Sequence, residues 1–97
     1  MSKSKNEYRI VLESNKIQKD WLVLEEKFPE RMEEFKGFLR ATPADRRQAA
    51  GRLKKLQGAY KGILQYDITK DDYRVWYRVS KKDYTVVIKY AGHHPNW

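Results

Sequence analysis

Polar and apolar positions alternate over NEYRIVLE, Asn6 to Glu13, with Tyr8, Ile10 and Leu12 on one side; a period of two predicts a strand. Ser14 or Asn15 can cap a following helix. In that helix Ile17, Trp21, Leu24 and Phe28 recur at three- and four-residue spacing, which gives one buried stripe. Pro29 interrupts the pattern. A second helix is predicted from Glu30 to about Arg40, with Met32, Phe35 and Leu39 inward. Thr42-Pro43 repeats the cap-then-proline signature, so a third helical segment is expected over Ala44–Leu56, with Ala49, Leu53 and Leu56 inside and Gly58 at its end. Alternation then returns in three runs, about Tyr60–Thr69, Tyr73–Ser80 and Tyr84–Ala91, joined by Lys70-Asp71-Asp72 and Lys81-Lys82-Asp83. Turns this short predict antiparallel hairpins.

The expected fold class is α+β: an N-terminal strand, a helical hairpin with room for a third helix, then a three-stranded antiparallel meander. At 97 residues the chain is expected to form a single domain over 1–97 with one modest core. Strand faces follow from the period of two. The core side should hold Gly62, Leu64, Tyr66 and Ile68, then Tyr73, Val75, Tyr77 and Val79, then Tyr84, Val86, Ile88 and Tyr90. The other side should hold Lys61, Ile63, Gln65 and Asp67, then Arg74, Trp76 and Arg78, then Thr85, Val87 and Lys89.

Charge gives that second side its interest. The chain has 21 Lys and Arg against 13 Asp and Glu, a net charge of +8. Residues 1–43 carry 9 basic and 8 acidic side chains and residues 44–97 carry 12 and 5, so +7 of the charge lies in the second part. Such asymmetry fits a polyanionic partner, although a basic surface also serves solubility. Arginines and lysines around Trp76, expected to be exposed, suit phosphates and stacked bases. Arg46, Arg47, Arg52, Lys54, Lys55 and Lys61 extend the basic region, though any one of them alone fits a solvated face. There is no cysteine, which excludes disulfides and thiolate chemistry. No apolar run approaches the ~20 residues that cross a bilayer. The opening MSKSKNEY lacks the apolar core of a signal peptide, so a cytoplasmic location and no membrane partner are expected.

Both histidines, His93 and His94, lie in the closing AGHHPNW. Imidazole transfers protons near neutrality. Neighbours in extended chain point opposite ways, so one of the two should face the basic side, and Pro95 keeps His94 out of helix. Two adjacent histidines without cysteine make a poor chelate, so no metal site and no cofactor are expected.

The stretch KKLQGAYKGILQYDITKDDYRVWYRVSKKDYTVVIKYAGHHPNW resembles the RelE/ParE superfamily of type II toxins. The resemblance rests on K-x-L-x-G, then D-Y-R-V-x-Y-x-V, a T-V-V-I strand and a terminal G-H-x-x-x-aromatic element. With the N-terminal strand and helices it covers the chain from about Tyr8 onward. It implies the RelE-like microbial RNase fold, and a cognate antitoxin as partner. In the RelE branch it implies a ribosome-dependent endoribonuclease that cuts mRNA without a metal. The ParE branch keeps the fold and inhibits DNA gyrase without catalysis; that, or a degenerate RNA-binding relative, is the alternative reading. The nuclease resemblance puts Arg74 on the phosphate, His94 in the position of a catalytic histidine and Trp97 as a base-stacking aromatic. Asp67 falls where some members carry histidine and is the candidate base. Lys61 stands where the founding branch has two lysines, and the glutamate base of another branch is absent. His93, Trp76, Arg78 and the basic residues 46–55 named above would contact RNA.

Overall fold

A computed structural model describes residues 7–70 and 72–93, and four of its five strands are those that alternation predicts. Strand β1 (Arg9–Leu12) leads into helix α1 (Asn15–Lys27). Ser14 caps it, its hydroxyl accepting the Ile17 N–H at 3.2 Å. Ile17, Trp21 and Leu24 form the buried stripe. Phe28 both ends α1 and precedes α2 (Pro29–Ala41), whose first position suits Pro29 because the missing N–H would have no helical partner. Met32, Phe35, Phe38 and Leu39 are its buried side chains. Lys36 on α2 bonds Glu25 on α1 at 2.7 Å and Glu33 at 3.1 Å. The Glu25 bond raises the Lys36 pKa.

Strands β2 (Leu53–Lys55), β3 (Leu64–Asp67), β4 (Tyr73–Ser80) and β5 (Thr85–His93) complete a five-stranded sheet of order β1-β5-β4-β3-β2. The β2–β3, β3–β4 and β4–β5 pairs are antiparallel, whereas β1 adds to β5 in parallel. One sheet face packs on the helices through Tyr66, Val75, Tyr77, Val86 and Ile88. Phe35 sits at the centre, its ring 4.3 Å from that of Tyr66 and 5.9 Å from that of Trp21.

The third helix does not form. Residues 43–51 are turns, Ala50 and Gly51 adopt left-handed φ values of 53° and 81°, and Leu53–Lys55 is an edge strand on β3. A stripe of Ala49, Leu53 and Leu56 buries too little apolar surface to stabilise a short helix, and Gly51 in its middle costs about 1 kcal/mol. Ala49 and Leu53 are buried all the same, one from a turn and one from β2. The buried Tyr77 hydroxyl donates to the Pro43 carbonyl and ties the turns to the sheet. Burial raises its pKa.

Two further expectations change. Tyr84 is not a core residue: it is 41% exposed, has φ 52° and sits in the turn before β5 with its ring tilted against that of Tyr8. Tyr90 is not on the core face either. Tyr77 pairs with Ile88 but Trp76 pairs with Tyr90, so Lys89 is an extra residue in β5, a bulge. Beyond it the alternation reverses. Tyr90 turns to the Trp76 side, Ala91 enters the core beside Val75, Gly92 lies opposite Arg74 and His93 opposite Tyr73.

Candidate nucleic-acid interface

The sheet face turned away from the helices carries the candidate chemistry. Alternation brings Gln65 and Asp67 of β3 beside Trp76 and Arg74 of β4, the register pairing Gln65 with Trp76 and Asp67 with Arg74. Around Trp76 this face is a second packed layer, while Arg78 farther along β4 is exposed. Gln65, Asp67 and Trp76 are 6%, 8% and 8% exposed, which corrects the expectation of an exposed Trp76. Its cover was hidden in the sequence. Tyr60 comes from a single 3-10 turn, Gly58–Tyr60, where a strand was expected, and Tyr90 comes from beyond the bulge. Their rings lie 5.0 and 5.6 Å from that of Trp76.

Buried polar groups require partners, and here they form a chain. The Trp76 indole N–H donates to Gln65 Oε1 at 3.0 Å. Gln65 Nε2 donates to Asp67 Oδ1 at 3.0 Å. Two cations stand beside the same carboxylate: Lys54 Nζ is 3.6 Å from Oδ2 and Arg74 Nε is 3.9 Å from Oδ1. Among the described residues the buried Arg74 Nε has no hydrogen-bond partner. Two cations around one carboxylate leave a local excess of positive charge, which suits an anion such as a phosphate.

The other candidate residues lie around this cluster or away from it. The Arg78 guanidinium lies against Gly62: a Cβ there would meet Nη1 at 3.5 Å, and its φ of 93° is readily adopted only by glycine. Lys61 and Lys55, both exposed, line an open cavity of about 640 Å³ with Leu56, Ile63, Leu64 and Val79. Arg46 and Arg47 are exposed on the turns that replace the expected helix, so no helix face aligns them. Arg47 bonds Asp45 and lowers its pKa. Arg52 is committed to the fold, its Nη1 donating to the Asp67 and Ile68 carbonyls at 3.0 and 3.2 Å. His93 stacks on Tyr73 at 4.3 Å, on the helix side of the sheet. The expectations for His94 and Trp97 lie outside the described residues. Among the described residues no group of three or more acidic or histidine side chains could hold a metal ion, and no helix is long and apolar enough to cross a membrane.

Gln65, Tyr60 and Tyr90 are the site residues that sequence reasoning did not single out. Gln65 was legible as a face residue, two positions from Asp67. Its burial depends on Tyr60, which no periodicity announces.

No family model and no curated protein matches the chain. Solved structures do match. The toxin–antitoxin complex RelBE2 from Mycobacterium tuberculosis aligns over 91% of this chain and 99% of its own at 22% identity, with a TM-score of 0.64. The YoeB/ParE toxin from Agrobacterium tumefaciens aligns over 90% and 99% at 20% identity, with a TM-score of 0.65. YafQ from Escherichia coli aligns over 90% and 93% at 16% identity, with a TM-score of 0.64. The two helices on a mostly antiparallel five-stranded sheet are thus the fold that the chain shares with these structures.

Proposed function

We propose that the chain is the toxin of a type II toxin–antitoxin pair and acts in the cytoplasm as a ribosome-dependent endoribonuclease on mRNA. The observation that carries this reading is the Lys54–Asp67–Arg74 cluster, a buried carboxylate between two cations on a face rimmed by Tyr60 and Tyr90. RNA cleavage by its own 2′-OH needs a base for that proton, cations for the phosphorane and an acid for the departing 5′ oxygen. Asp67 supplies the base. Arg74 and Lys54 hold the phosphate oxygens, with Lys61 and Arg78 toward the flanking backbone. His94 supplies the acid and Trp97 a surface for a base, roles that rest on the sequence resemblance. No metal takes part in this scheme. The ribosome holds the mRNA in line, which supplies the entropy advantage of a fixed geometry. The antitoxin covers the basic part of the chain with acidic and apolar side chains.

Induction in a bacterium tests the reading. The expected first event is new mRNA 5′ ends within translated codons, lost in Arg74→Ala. A DNA-damage response that precedes any mRNA cleavage would replace the nuclease with a gyrase inhibitor of the ParE kind.

A further inference from the structure

The buried polar chain has one feature that ion pairing does not explain. An arginine beside a carboxylate ordinarily closes to about 2.7–2.9 Å, often through two parallel bonds. Arg74 Nε stays 3.9 Å from Asp67 Oδ1 and is buried without a hydrogen-bond partner among the described residues. Lys54 Nζ also stops short, at 3.6 Å from Oδ2. The group that does reach the carboxylate is neutral, the Gln65 amide at 3.0 Å. Its orientation is fixed from behind. An indole N–H only donates, so the Gln65 oxygen must face Trp76 and its NH₂ must face Asp67.

We infer that Gln65 is a positioning residue that keeps Asp67 from capturing Arg74 and so leaves Arg74 and Lys54 open to a phosphate. The inference rests on the phosphate-binding role proposed above and extends it to a side chain that touches no substrate. The Gln65 amide holds Oδ1, the same oxygen that lies nearer Arg74 Nε, and so competes with a closing guanidinium for that acceptor. Without it, Arg74 and Asp67 form a closed pair whose donors are spent on the carboxylate.

The test follows Arg74 itself, with inorganic phosphate as the probe. In ¹⁵N-arginine-labelled protein, Gln65→Met keeps the side-chain length and removes the amide. Its Arg74 Nε–H signal is expected to move downfield and its phosphate affinity to fall about tenfold, the equivalent of one charge-assisted hydrogen bond. Gln65→Met combined with Asp67→Asn removes the captor and is expected to restore the affinity to about the wild-type value, a rescue that a merely structural role would not give. If Gln65→Met does not fold, Trp76→Phe releases the amide orientation and is expected to lower the affinity in the same sense. Three results would overturn the inference: no phosphate-induced shift at Arg74 in the wild type, an unchanged signal and affinity in the variants, or a loss that persists in the double variant. Because phosphate is the probe, a protein that cuts no mRNA still reports on Gln65, so the nuclease reading and this one fail separately.

Discussion

Around Trp76 the two faces of the sheet are buried to similar extents and built from opposite chemistry. On the helix face Val75, Tyr77, Val86 and Ile88 are fully buried, and the one hydroxyl among them finds a carbonyl. On the other face Gln65, Asp67 and Trp76 are almost as well buried, yet two of the three are polar, one is ionisable and cations flank them. Apolar burial stabilises a fold whichever groups surround it. Buried polar groups stabilise it only when every partner is in place, and Arg74 Nε has none among the described residues. The first face has the character of a core. The second sacrifices some stability for a fixed arrangement of charge, the pattern expected of a binding or catalytic site.

Breaking each face should therefore fail differently. The largest effect is expected from Phe35→Ala, which removes the ring at the centre of the helix-side core and should cost about 3–5 kcal/mol of stability. Thermal and denaturant melts measure it, and activity should follow the folded fraction. Arg74→Ala should behave in the opposite way. Growth inhibition and mRNA cleavage should fall by about a hundredfold to a thousandfold, the usual range for one transition-state donor. Melts should move far less than for Phe35→Ala, because Arg74 Nε makes no hydrogen bond among the described residues that the substitution would break. His94→Gln should lower single-turnover cleavage by about a hundredfold, as for loss of a general acid, while His93→Gln changes it far less. His93 stacks on Tyr73 on the helix side, so its replacement should act through packing.

The smallest effect sharpens the contrast through pH. Burial raises the pKa of Tyr77, and of Tyr66, above the value near 10 of an unfolded tyrosine. Above about pH 10 the unfolded chain releases these protons while the folded chain keeps them. Stability should therefore be fully present below pH 10 and decline as pH rises beyond it. Tyr77→Phe should reduce that alkaline slope, at a cost near neutrality of about 1–3 kcal/mol for the unpaired Pro43 carbonyl. An unchanged slope in equilibrium unfolding between pH 9 and 11 would show that Tyr77 is not the group responsible.

Periodicity carried most of the fold. Ile17, Trp21 and Leu24 on α1, and Tyr66, Val75, Tyr77, Val86 and Ile88 on the strands, lie where a period of 3.6 or 2 puts them. The same alternation put Asp67 and Arg74 on one face, and the register makes them neighbours. What could not be read has local causes. Three residues, Leu53–Lys55, are too few to show a strand period, and the proline and capping signals before them mimic a helix start. The extra Lys89 reverses the alternation after Ile88, which moved Tyr90 off the core and put His93 opposite Tyr73. Trp76 seemed exposed because its cover, Tyr60, sits in a turn whose position depends on Gly58 at φ 64° and Gly62 at φ 93°. A period of two assigns a side chain to a face; whether that face is covered depends on the loops.

Single-turnover cleavage of mRNA on programmed ribosomes, with the same mRNA naked in parallel, tests the central claim most directly. Wild-type protein is expected to cut the ribosome-bound message rapidly and the naked RNA hardly at all, and Arg74→Ala, folded by melting, to cut neither. A folded Arg74→Ala protein that cuts as fast as the wild type, or a wild type that leaves ribosome-bound mRNA intact, would contradict it.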